Sequence, residues 1–269
     1  MITKSHAMKT LKQLHSEYGI NMPITEALAW IAYDENPSVE PASLLAQLDN
    51  LFFGFSFSQT DNRSIMTALN QHLFETLGFS GDRANYHAPE NSLLDKVIIR
   101  RKGLPIMLSV LYMELGKKCG IAIDGIGFPG HFCVQIRGDK SFIDPFQDGI
   151  ILDPEDLQYH LDVHFPHQIT FAEATRACKP IEIIIRVNNN LFNSYQMRKD
   201  QNGMLRAISR NLMMQPDNAE LHKYRALLLR DMGQYDAAAE ALEHYLQTFP
   251  NTPDTEEILQ ELSLLRGIG

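Results

Sequence analysis

Apolar residues recur along the first ninety positions with a helical period. In EALAWIAYDEN they fall at 27, 28, 30, 31 and 33, and Asn36-Pro37 ends the run. PASLLAQLDNLFF places Leu44, Leu45, Leu48 and Leu51 on the same period, and DNRSIMTALNQHLFETLGF places Ile65, Leu69, Leu73 and Leu77 on one face. Gly78 follows as a C-cap, because glycine takes the left-handed conformation that ends many helices. From 91 the pattern changes. NSLLDKVIIRRK is a helical run with Asn91 placed as its N-cap. Past Gly103, Pro105 opens a second helix at no loss of an intrahelical bond. That second run, IMLSVLYMEL, is apolar on nearly every side, which predicts a helix buried all round.

Three short β-rich runs follow, IAIDGIGF, HFCVQI and SFIDPF, separated by Gly, Pro and Asp turn signals. A buried helix followed by an antiparallel meander predicts an α+β core. Residues 150 to 180 read as loop-rich with one short helix after Asp153-Pro154. The tail is a repeat: Pro216 and Pro250 lie 34 residues apart, followed by Asp217 and Asn251, and Ala207 matches Ala241 as Leu212 matches Leu246. Between the prolines, two helices joined at Met232-Gly233 carry small residues at Ala226 and Ala238, with Tyr235 and Leu242 packed against them. This period and placement are the tetratricopeptide signature. The earlier copy, from about Ile185, is degenerate, with Met204 at the position of Ala238.

Composition narrows the function classes. The 24 basic against 33 acidic residues, a net charge of −9, argue against a nucleic-acid partner, since such binding rests on Lys and Arg at phosphates. No run of 18 apolar residues predicts a membrane span. Three cysteines (Cys119, Cys133 and Cys178) at unrelated spacings form neither a disulfide framework nor a metal knuckle. With no signal-peptide pattern in MITKSHAMKTLKQLHSEYG, the expected location is cytoplasmic. His160, His164 and His167 have spacings that put imidazoles on one helix face. Pro166 interrupts that helix and no carboxylate or cysteine sits at a companion spacing, so neither a metal nor a cofactor is expected.

The run RRKGLPIMLSVLYMELGKKCGIAIDGIGFPGHFCVQIRGDKSFIDPFQDG resembles the transglutaminase-like core of the SirB-type proteins, bacterial proteins that join such a core to C-terminal tetratricopeptide repeats. ALAWIAYDENP and LFETLGFSGDRANYHAPENSLLDKV upstream resemble that family's N-terminal part. The resemblance implies a helical part packed on the core over 1–90, the core over 91–180 and the repeat tail over 181–269. It also implies a Cys-His-Asp site: a cysteine opening the buried helix, a histidine on a following strand, and an aspartate on the next strand before proline. His131 and Asp144 match the last two. The cysteine position falls near Ile106 or Met107, neither of them a nucleophile.

The remaining thiols are poor substitutes. Cys119 sits at the helix end whose dipole disfavours a thiolate. Cys133 shares a strand face with His131 but has no helix end. Cys178 has no evident base. Ser109 lies one turn into the buried helix, yet an alcohol needs a stronger base and a prepared oxyanion hole. Around the His131–Asp144 dyad, Asn91, Arg101, Ser109, Tyr112 and Gly130 are pocket candidates. Arg101 and Tyr112 either reach the His131 pocket or pair with Glu114 or Asp95. Gly130 either makes a turn or admits a ligand close to the backbone. The missing thiol weighs against catalysis and predicts an interaction or regulatory protein with a protein or peptide partner. The alternative is an amide or ester hydrolase or acyltransferase in which the His–Asp pair works with a substitute nucleophile or with water.

Overall fold

A computed structural model of the chain describes residues 9–58, 61–250 and 252–268. Asn251, read as a repeat turn residue, and the first eight residues lie outside them. The chain packs as two units, Met1–Val187 and Asn188–Gly269.

In the first unit the apolar stripes become α1 (Leu11–Tyr18), α2 (Ile24–Glu35), α3 (Pro41–Leu51) and α4 (Asn62–Asn70). Leu44, Leu48 and Phe52 are the buried stripe of α3 and its exit, with Leu45 and Leu51 half-buried beside them. The Glu40 carboxylate caps that helix by accepting from the Ala42 and Ser43 backbone N–H groups, and Asp61 caps α4 through Ser64. The helix expected to run on from α4 instead widens into a π turn over Gln71–Thr76 before Gly78 ends it in the left-handed conformation.

A parallel two-residue pair, β1 (Ser80–Gly81) with β2 (Lys102–Gly103), flanks α5 (Leu94–Arg100). Then comes α6 (Pro105–Lys118). Ile106 through Tyr112 are buried without a break, as the all-round apolar pattern predicts. It lies against β3 (Ile123–Ile126) and β4 (Cys133–Ile136), which continue through β5 (Phe142–Asp144) and β6 (Ile150–Leu152) as an antiparallel sheet in chain order. A Cβ on Gly116 would stand 2.4 Å from the Ile123 side chain, so glycine allows the close approach of helix to sheet. The strand β6 and the full length of α7 (Pro154–His164) replace most of the loop expected from residue 150. The short α8 (Phe171–Ala174) precedes α9 (Pro180–Arg198), whose first half supplies Ile183, Ile184 and Val187 to the core of this unit.

The second unit is all helix: the end of α9, then α10 (Gln201–Met214), α11 (Ala219–Asp231), α12 (Tyr235–Thr248) and α13 (Thr255–Ile268). Ala226, Leu229, Ala238, Leu242, Tyr245 and Ile258 form its apolar cluster. Small Ala226 and Ala238 face the partner helices, as the repeat requires. Tyr235 does not pack there and is 40% exposed, because it sits on the first turn of α12 beside the open loop. Buried amides hold the degenerate copy: Asn188 Nδ2 donates to the Ala207 carbonyl at 2.7 Å and to Asn211 Oδ1 at 2.8 Å, while Arg210 Nε donates to Asn188 Oδ1.

Candidate functional site

Asp144 closes β5 and is buried. Its carboxylate accepts from the Phe146 backbone N–H at 2.9 Å and from Gln147 Nε2 at 2.8 Å, a local cap on the turn that the following proline starts. His131 stands ahead of β4, not within it. A turn sets its backbone, with its N–H donating to the Phe128 carbonyl at 3.0 Å, so the alternation that would align it with Cys133 does not reach it. Its side chain is 39% exposed, and Nδ1 lies 3.8 Å from Asp144 Oδ2. That is ion-pair range but longer than a hydrogen bond. The aspartate is committed to its own turn, and the imidazole rests beside it.

On the other side of His131 lies α7. The His160 ring meets the His131 ring edge-on at 5.4 Å, and His164 follows at 4.5 Å from His160. Burial and the two neighbouring imidazoles push the His160 pKa down. His167 lies past the end of α7, and among the described residues no group of three or more His, Cys, Asp or Glu is placed to hold a metal ion. Gly130 has φ +77°, and a Cβ there would meet His160 only at an ordinary 3.7 Å. Glycine is therefore called for by the turn that presents His131.

The other four pocket candidates make contacts within the fold. Ser109 is fully buried and donates from Oγ to the Phe132 carbonyl at 3.3 Å, tying α6 to the segment beside His131. Tyr112 is buried on a different side of α6, with its hydroxyl donating to the Met66 carbonyl and its ring stacked near Phe74. Arg101 does not pair with Glu114 or Asp95; it adopts φ +56° at the end of α5 and lays its guanidinium over Phe79 at 4.7 Å. Asn91 is not the N-cap of α5, a place taken by Leu93. It ends a 3-10 turn, donates to the Asn85 carbonyl at 2.7 Å and accepts from Arg100, which also binds Asp82 at 2.6 Å.

At the start of α6 stand Leu104, Pro105, Ile106 and Met107, which carry no nucleophile, and Ile106 and Met107 are buried. Burial pushes the Cys133 thiol up to about 12, with the Asp144 charge adding to the rise. Burial also raises Cys119, at the C-terminal end of α6, and Cys178. Two neighbours of the site carried no local sequence signal. Gln147 follows Asp144 in an ordinary-looking turn, and Arg186 reaches the His131 carbonyl from α9, 55 positions away.

Residues 40–189 match the family described as the transglutaminase-like superfamily, and residues 191–263 match the tetratricopeptide repeat. A UPF0162 protein of Xylella fastidiosa is 31% identical over 247 residues, covering 88% of each chain, and one of Pseudomonas aeruginosa is 28% identical over 82% of this chain and 83% of its own. Human F-box only protein 21 is 26% identical over 188 residues, 63% of this chain and 28% of that protein. No solved structure matches the chain. A buried helix laid on an antiparallel sheet, His131 just ahead of β4 with Asp144 at the end of β5, and these likenesses lead to one assignment: the chain belongs to the transglutaminase-like superfamily and to the UPF0162 proteins, and carries tetratricopeptide repeats over residues 191–263.

Proposed function

We propose that this chain is a cytoplasmic, SirB-type interaction or regulatory protein whose transglutaminase-like core no longer performs acyl transfer. In this reading residues 1–90 buttress the core over 91–180, and the repeats over 181–269 engage a protein or peptide partner. The observation that carries it is the start of α6, where Ile106 and Met107 stand at the position that the resemblance gives to the cysteine. Two further features support it. Asp144 accepts from Phe146 and Gln147 and stands 3.8 Å from the imidazole, beyond the hydrogen bond that would orient it. The matched region also occurs as 28% of the much longer human F-box only protein 21, as a portable module would.

The second reading keeps His131 as a general base acting on water, favoured by its exposed imidazole beside a buried carboxylate. Intact-mass measurement after incubation with a glutamine peptide, a primary amine and an activated ester separates the two. The expected result is no acyl adduct and no product. Turnover that disappears in His131→Ala would establish the second reading.

A further inference from the structure

Arg186 lies half-buried on α9, in the last turn that belongs to the first unit. One terminal nitrogen donates to the His131 carbonyl at 3.1 Å, and the guanidinium lies over the Phe132 ring at 5.3 Å. The other terminal nitrogen stands 3.0 Å from where a Cβ on Gly127 would be, so the glycine leaves the space that this side chain fills. The titratable groups that act on it electrostatically are Cys178, Tyr86 and Cys133, none of them an anion at neutral pH. Among the described residues no carboxylate lies within ion-pair distance of it. A guanidinium offers five N–H donors, and a single carbonyl uses one.

A partly buried cation without a counter-ion is costly, and folded chains ordinarily pair it. This chain does so elsewhere: Arg100 has Asp82, and Arg230 has Asp231 and Glu261. Carboxylates are not scarce, with 33 acidic residues in the chain. Among the described residues Arg101 lies over Phe79 without such a partner, and Arg186 is the guanidinium without one that stands beside the His–Asp pair. The exposed His131 imidazole stands nearby, and Tyr86 presents a 40% exposed ring packed edge-on against Phe146.

We propose that Arg186 is the recognition point for a carboxylate on a bound peptide, which settles beside His131 and Tyr86 and completes the charge pairing that the chain leaves open. A carboxylate suits the planar fork of a guanidinium, and an apolar or cationic ligand would leave it unpaired. The inference rests on reading the core as a binding module, and it names the chemistry that the module selects.

The test uses the full chain with 13C-labelled histidine, titrated with two matched pairs of peptides. Acetyl-trialanine with a free C-terminus and its C-terminal amide report on a chain terminus. Amidated tripeptides with a central glutamate or a central glutamine report on a side chain. One carboxylate probe is expected to move the His131 ring signals, and its neutral twin to bind on the order of tenfold more weakly. Arg186→Gln should erase that difference, and Arg186→Lys should restore part of it. The charged-against-neutral comparison needs only the wild-type chain, so it stands even if a variant fails to fold. No shift from either carboxylate up to about 50 mM, where a Kd of several millimolar would register, overturns the proposal. Equal shifts from charged and neutral twins overturn it as well. Consumption of a probe, read by mass in the same samples, would instead sink the non-catalytic reading while leaving the charge comparison intact.

Discussion

Asp144 and the three cysteines carry the sharpest expectations at the residue scale. Asp144 is buried and accepts from a backbone N–H and a side-chain amide. Asp144→Ala leaves both donors without a partner, and a loss of about 1–3 kcal/mol in urea unfolding is expected. The thiols follow from sign alone. All three have pKa values raised by burial, so the thiolate fraction at neutral pH is below that of a free cysteine and grows as the pH rises. Alkylation of each should be slow below pH 7 and accelerate toward alkaline pH, with Cys133 the last to react. Rapid labelling of Cys133 at pH 6 that depends on His131 would contradict this. Two local expectations differ from the structure at this scale for definable reasons. An asparagine before a helical run has the chemistry of an N-cap, but Asn91 is claimed by Arg100 and the Asn85 carbonyl, which lie outside any local pattern. Tyr112 is on the right helix, but facing another neighbour.

Elements were legible where one side faces the core. The stripes of α2 and α3 and the all-round burial of α6 appear in the apolar pattern because burial and periodicity have the same cause. Strand β6 escaped because it is an edge strand with Ile150 52% and Ile151 37% exposed, so it shows no alternation. The π turn after α4 has no signature in the apolar pattern, whose stripe runs on through Leu73 and Leu77. It accompanies Asn70 reaching across to donate to the Gly149 carbonyl at 2.8 Å, on the turn that follows Asp144. Gly149 has φ +80°, and a Cβ there would stand 2.2 Å from Asn70 Oδ1. Gly149→Ala meets both strain and overlap and should lower stability by more than about 1 kcal/mol in a denaturant melt. Asn70→Ala in the same background should recover part of that loss by removing the overlapping amide.

At the scale of the molecule, the two units meet different limits. Ile181, Ile183, Ile184 and Val187 are buried in the first unit although they belong to α9, and the Ile183 side chain lies against Gly125 of β3. A fragment ending at 180 should therefore aggregate or fail to melt cooperatively, whereas one ending at 199 should stay in solution and melt in a single transition. Light scattering and calorimetry on the two would decide it. In the second unit, the Lys223 ammonium, with help from the Tyr245 hydroxyl, holds the Asp254 carboxyl well below the usual carboxylate range. A depressed folded pKa contributes stability that is present above about pH 4, the unfolded value, and is lost as the pH falls toward the folded one. Melting of this unit should weaken below pH 4, and Asp254→Asn should flatten that slope.

What the sequence determined alone is whatever repeats or alternates within a few residues: the helical stripes, the buried helix, strands β3 to β5 and the 34-residue repeat, whose small residues mark where helices approach. It also held the absence of a nucleophile at the start of α6, since residue identity needs no coordinates. Tertiary structure alone decided which partners those residues have. Asp144 turned to its own loop, His131 was set by a turn ahead of its strand, and Arg186 arrived beside it from α9 without a carboxylate. Hydrogen bonds and charges act over a few ångströms of space, and chain positions 55 apart carry no pattern that says they will meet.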